Sequence, residues 1–134
     1  MSTESDILRN YKTIVVVGLS SDQTRAAYSV SEYMQRAGYK IIPVQQGEDE
    51  VLGEKAYPDL ASVPEPIDIV NVFKRSEQVP PFVDEAIAVG AKVVWMQQGI
   101  ANEEAAEKAR AAGLEVVQDR CIRTEHRRMA AGLQ

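Results

Sequence analysis

Three groups of residues in this chain of 134 could do chemistry, and each follows a short apolar run. Gly18, Ser20, Ser21 and Arg25 lie in TIVVVGLSSDQTR, Lys74 and Arg75 close IDIVNVFKR, and Gln97, Gly99 and Arg120 belong to WMQQG and DRC. A glycine and two serines running into a helix offer amide and hydroxyl donors, and a guanidinium adds charge-assisted hydrogen bonds. The chemistry to expect is the holding of an anion, phosphate above all. A turn that only reverses the chain and caps a helix would use the same residues. Lys74-Arg75 would elsewhere be a solvated pair, but two cations at a strand end, in a chain of net charge -5, fit a ligand carrying several phosphate charges.

Covalent chemistry has fewer candidates. His126 is the only histidine, no triad or paired-acid arrangement can be assigned around it, and it reads as structural or exposed. Cys121, the only cysteine, stands beside Arg120, and neighbouring positive charge lowers a thiol pKa; an inert half-buried cysteine is the competing reading. One cysteine and one histidine make neither an internal disulfide nor the usual Cys/His zinc site, so no metal is expected.

The acidic balance argues against a nucleic-acid surface, which needs a broad positive field. A small anion needs only local charge, which Arg25, Lys74-Arg75, Arg120, Arg123, Arg127 and Arg128 could supply. The longest apolar runs, such as Ile14 to Val17, fall far below the ~20 residues of a membrane-spanning helix. MSTESD carries acids and hydroxyls where a secretory signal carries positive charge, so a cytoplasmic protein is expected.

The elements that must position these residues alternate. Strands are expected at Thr13 to Val17, Tyr39 to Val44, Ile67 to Phe73, Lys92 to Met96 and Leu114 to Val117; Asp68 and Asn71 mark the less buried positions of the third. Helical spacing covers Ser5 to Tyr11, Arg25 to Ala37 (capped from Ser21, Asp22 or Thr24), the segment opened by Pro80, the one capped by Asn102, and Ile122 to Met129. Between Gln45 and Pro66 the chain reads as loop, with one short helix at Asp59 to Val63. This pattern predicts a single α/β domain over residues 1–134, Rossmann-like and doubly wound. Its five-stranded parallel sheet, order 3-2-1-4-5, has helices on both faces. Ligands of such sheets bind outside the carboxyl ends of the strands, where the order reverses. The turn after the first strand lacks the further glycines of a dinucleotide fingerprint, and Gln45-Gln46 stands where an NAD site wants an acid, which disfavours ordinary NAD recognition.

Taken together, VVGLS, YKIIPV, EVLGEKAYPDL, DIVNVFKR, WMQQG and DRCI resemble the small stand-alone coenzyme A-binding proteins, which are similar to the N-terminal domain of the succinyl-CoA synthetase alpha subunit. The resemblance runs from about Tyr11 to about His126. It implies coenzyme A as the ligand, with Gly18, Ser20, Ser21 and Arg25 near the phosphates, Lys74 and Arg75 near the nucleotide or its phosphate, and Gln97 and Gly99 near the pantetheine. Gln45-Gln46-Gly47 departs from the Asn-Pro pair common after the second strand. The phosphohistidine domain is absent, so ligase activity is not implied.

Three functions are compatible with these residues. The first is a non-catalytic module binding coenzyme A or acyl-CoA, in which Arg120 joins the other cations along one sheet edge. The second is a thiol-handling enzyme or redox sensor, in which Cys121 exchanges with the coenzyme A thiol. A weaker third is an NAD(P)-binding regulator.

Overall fold

The computed structural model describes residues 3–132; Met1 and Ser2, the first residues of MSTESD, and Leu133 and Gln134 lie outside the described residues. In chain order the elements are α1 (Glu4–Asn10), β1 (Thr13–Val17), α2 (Ala26–Arg36), β2 (Lys40–Val44), β3 (Glu50–Val51) and β4 (Glu54–Lys55). They continue with β5 (Ile69–Val72), α3 (Val79–Ala88), β6 (Val93–Met96), α4 (Glu103–Ala111), β7 (Glu115–Val117) and α5 (Ile122–Ala130).

β1 pairs in parallel with β2 on one side and β5 on the other, so its β-branched residues are buried on both faces. This is why the run shows no polar alternation. Side chains divide with the two-residue period of a strand. Val15, Val17, Val70, Val72, Val94 and Met96 pack under α3 and α4, whereas Ile14, Val16, Ile69, Val93 and Trp95 pack under α1, α2 and α5. Burying each such side chain is worth about 1.5–3 kcal/mol. The ion pairs, such as Lys108–Asp84 and Arg110–Glu103, are solvent-exposed and contribute at most about 1 kcal/mol each. Two apolar layers therefore hold the fold, and the charges are left to other work.

Among the described residues the sheet has five strands in the order β2-β1-β5-β6-β7, parallel throughout. The doubly wound α/β class is as expected. Outside β2 a single parallel bridge joins Val44 to Tyr57, a rudimentary third strand; counted as such, it gives the outward order 3-2-1-4-5 with one strand more. Among the full strands alone, the one expected at Ile67 to Phe73 sits beside β1 and not beyond β2. Pro43 is tolerated because its carbonyl accepts Tyr57 N–H, so its missing donor faces that rudimentary edge and not β1.

Three local expectations need correction. Asp59 to Val63 is no helix but a turn, closed when Ser62 donates its amide and hydroxyl to Asp59 at 2.9 and 2.6 Å. The loop before it holds the β3–β4 hairpin, whose turn puts Leu52 and Gly53 at φ 56 and 77, the mirror-image turn that matches strand twist. Asn71 is not a less buried position: it is 1% exposed, registered between Val16 and Trp95. Its Oδ1 has no hydrogen-bond partner among the described residues.

Asn102 ties the right half of the sheet together. Its Oδ1 accepts Ala105 N–H at 3.0 Å, capping α4, and its Nδ2 donates to the Ser76 carbonyl at 3.0 Å, beyond β5. Asn102→Ala is expected to cost about 1–2 kcal/mol, read as a lower denaturant midpoint at unchanged slope. Asn102→Asp, which keeps the cap and loses the Nδ2 donor, should recover part of it. A midpoint unchanged in the alanine variant would show that the cap carries no stability.

Candidate functional site

The chain leaves β1 for β2 on one side and returns to β5 on the other, so the topological switch lies between β1 and β5. There Gly18 adopts φ +92, and a β-carbon on it would stand 2.7 Å from the Phe73 carbonyl oxygen and 3.4 Å from Lys74 Cε. Only glycine allows this approach. The Gly18 amide donates to the Val44 carbonyl at 2.9 Å and Phe73 N–H to the Val17 carbonyl at 2.9 Å, which fixes the ends of β2, β1 and β5 as one rim.

Over that rim opens a hollow of about 570 Å³ that brings together Gly18, Ser20, Arg25, Lys74 and Arg75, within the size range of small-molecule sites. Three cations face one carboxylate, Asp22. Hydrogen bonds from the Thr24 hydroxyl and amide, with Arg25 nearby, hold the Asp22 carboxyl below the usual carboxylate range, so it stays ionised. Its ion pair with Arg25, at 3.6 Å, is long and exposed. Ser21 points away from the hollow: its amide and hydroxyl donate to the Glu48 carboxylate at 2.8 and 3.1 Å.

Lys74 donates to the Gln45 side chain at 3.2 Å. These two residues and Gln78 also line a second hollow, of about 520 Å³, so the two spaces adjoin. Val17, Val44, Pro58, Pro81 and Phe82 supply the apolar part of its wall, Gln45, Gln46, Lys74 and Gln78 a polar part, and Asp59 and Glu85 its acids. Gln45, Gln78 and Ile100 were not among the expected site residues; a neutral amide after a strand and an isoleucine in a turn carry no local signature.

Gln97, Gly99 and Arg120 are not brought to this hollow. Gln97 is 5% exposed and accepts the Ile122 amide at 2.8 Å, while Gly99 N–H donates to Asp119 at 2.7 Å. They join the β6 and β7 turns to each other. Arg120 lies with Gln98, Asp119, Cys121, Thr124 and Glu125 around a smaller hollow of about 290 Å³ on the same sheet edge. Cys121 is the N-cap residue of α5 and half-buried. Burial pushes its thiol pKa up, but the Thr124 amide, the Gln97 side chain, the Thr124 hydroxyl and the Arg123 amide outweigh it, and the net shift is downward. Among the described residues no His/Cys/Asp/Glu cluster could hold a metal ion, and no helix is long and apolar enough to cross a membrane.

Residues 12–127 match the family model described as a CoA binding domain. The chain belongs to this CoA-binding domain family. It is 48% identical over 121 residues to the uncharacterized protein YneT of Bacillus subtilis, covering 90% of each chain. It is 27% identical over 128 residues to the alpha subunit of an ADP-forming acetate–CoA ligase II of Pyrococcus furiosus, of which it spans 28%. A hypothetical protein from Pyrococcus horikoshii superposes with a TM-score of 0.91 at 40% identity, covering 96% of this chain and 93% of that one. This CoA-binding domain thus corresponds in length to the small relatives and to about a quarter of the ligase subunit.

His126 lies away from the sheet edge, its ring edge-on to Tyr33 and Tyr39 at centroid distances of 5.4 and 5.6 Å. Its Nδ1 shares a hydrogen bond of 2.8 Å with the Tyr33 hydroxyl. Burial, and then the charge of Lys12, lower its pKa below the ordinary 6.5. The unfolded chain therefore takes up this proton first. The stability contribution is complete above pH 6.5 and declines as pH falls from there toward the folded value. Denaturant midpoints measured down this range should fall, and His126→Gln should flatten the part of the slope nearest neutrality. Equal slopes in both proteins would exclude His126 as the cause.

Proposed function

We propose that this chain holds coenzyme A or an acyl-CoA without catalysing its chemistry. The observation that carries the reading is the pair of adjoining hollows at the β1/β5 switch. One gathers Arg25, Lys74 and Arg75 against a single carboxylate; the other is of mixed lining, with an apolar part from Val17, Val44, Pro58, Pro81 and Phe82, and shares Lys74, Gln45 and Gln78 with the first. Coenzyme A has the matching division, a phosphate-rich end and less polar parts. The phosphates belong over Gly18, Ser20 and Arg25 with Lys74 and Arg75 opposite, where opposite charge and the start of α2 reinforce each other.

The test is calorimetric titration with coenzyme A, 3'-dephospho-coenzyme A and NAD. Coenzyme A should bind most tightly, and Lys74→Ala with Arg75→Ala should weaken it about tenfold or more, since a charge-assisted hydrogen bond is worth about 1.5–3 kcal/mol. An absence of heat at millimolar coenzyme A would sink the reading. Tighter binding of NAD would favour a dinucleotide regulator.

The lowered thiol of Cys121 favours a second reading on the same edge. β7 lies two strands from β5, about 10 Å. The pantetheine arm, as long as four extended residues or about 14 Å, exceeds that span. In this reading the Cys121 thiolate attacks a disulfide of coenzyme A, forms the Cys121–coenzyme A disulfide and releases the other thiol as thiolate. Incubation with coenzyme A disulfide should add the mass of one coenzyme A moiety, and Cys121→Ser should abolish the addition. Alkylation of Cys121 at the rate and pH dependence of free cysteine would end this alternative.

A further inference from the structure

A second group of cations lies between helices, away from the hollow at the β1/β5 switch. α2 starts beside the β1 turn and runs back toward the amino ends of the strands, and between its later turns and α5 is a hollow of about 410 Å³. None of its residues lines the hollows described above. Its ionisable groups are Arg36, Arg123 and Arg127, with Glu32 and Tyr33. Glu32 and Arg36 form an exposed ion pair at 3.5 Å, and Arg127 lies over the Tyr33 ring at 5.0 Å. The Tyr33 hydroxyl is engaged by His126. Three guanidinium groups thus meet one carboxylate in a chain whose net charge is -5.

The decisive atom is Arg123 Nε. It is covered from solvent and has no hydrogen-bond partner among the described residues. A buried donor left unmade is costly, more so in a charged group, and three like charges in one hollow repel each other. An oxyanion seated between α2 and α5 would pair with the guanidinium forks, and a small turn of the Arg123 side chain that uncovers Nε would let it accept from that donor too, offsetting both costs. Guanidinium forks suit phosphoryl and carboxylate oxygens alike, but the excess of two positive charges suits a dianion. The hollow is roomier than one bare phosphate requires, about 30 Å³ being the share of a single water.

We infer that the α2/α5 hollow is an anion site, separate from the coenzyme A edge, that takes a dianionic phosphoryl group borne by a small molecule. The site rests on Arg123, Arg127 and Arg36 and is independent of whether coenzyme A binds at the carboxyl edge.

The arginine Nε–Hε resonances of isotopically labelled protein report on it directly. With the carboxyl edge saturated by coenzyme A, or in the Lys74→Ala and Arg75→Ala protein, the full chain is titrated with pyrophosphate, ribose 5-phosphate and succinate at constant ionic strength. The expected result is a saturable shift of the Arg123 Nε–Hε signal with one or both phosphorylated probes at millimolar concentration or below. Pyrophosphate alone would point to an inorganic source and ribose 5-phosphate alone to a phosphomonoester; either supports the site. Arg123→Gln with Arg127→Gln should weaken the binding about tenfold or more, with calorimetry as the readout once the reporting resonance is gone. Arg123→Lys, which keeps the charge and removes the fork, should give an intermediate loss. No saturable shift, equal binding of succinate, or unchanged affinity in the double variant would each overturn the assignment. Loss of coenzyme A binding with this shift retained would bear on the proposed function alone.

Discussion

The Phe73 carbonyl oxygen stands 2.7 Å from where a β-carbon on Gly18 would be, and this close approach sets the geometry of the hollow at the β1/β5 switch. It lets the β1 turn cross directly over the end of β5, so that Arg25 from one turn and Lys74 and Arg75 from the other border the same space. Leu19, wholly buried, anchors the turn from below against the layer of α1, α2 and α5. The rim is therefore made of backbone held by sheet hydrogen bonds, and only long, mobile cations reach out from it. Such a frame fixes where charge can gather without fixing each side chain.

Its rigidity comes from a core that asks nothing of the polar residues. Both faces of β1, β5 and β6 are filled mainly by branched aliphatic side chains, with Asn71, Trp95 and Met96 the other buried residues of these strands, and the ion pairs sit in solvent. The exceptions inside are informative because they are few. Trp95 places its ring in the core while its Nε1 donates to the Arg120 carbonyl at 2.9 Å, and Tyr39 sends its hydroxyl to the Leu8 carbonyl at 2.6 Å. Each buried ring thus holds an irregular segment to the sheet. The turn carrying Cys121 owes its position to Trp95 and Gln97, which explains how a loop residue acquires a defined electrostatic setting.

Strands buried on both faces were legible in the sequence because β-branched runs of four or five residues have few other uses. Most helix ends were legible too: Asn102 caps as its type suggests, and Gly38, Gly90 and Gly113 close helices at φ 103, 74 and 93, whereas α2 starts from Arg25 with no side-chain cap, so the expected cap from Ser21, Asp22 or Thr24 is not made. The β3–β4 hairpin was hidden by its turn, since Leu52 at positive φ lacks the Asn-Gly signature, and its strands of two residues are too short to alternate. Lys74 and Arg75 could be found from the rule that strand ends carry ligands. Ser21 could not be separated from Ser20, because what distinguishes them is Glu48, 27 residues later in the least patterned part of the chain. Gln97 looked like a surface glutamine in a turn and is buried by a contact with Ile122, which no local spacing encodes.

That Ser21 contact has a selective consequence. The turn's amide and hydroxyl are already engaged by a carboxylate of the chain itself, so any ligand oxygen entering there competes with a tethered rival at high local concentration. A solute with one carboxylate would merely exchange one like group for another, with no tether to favour it. Glu48 therefore reserves the Ser21 donors for the chain itself and leaves Ser20, Arg25, Lys74 and Arg75 as the donors open to a solute in the hollow.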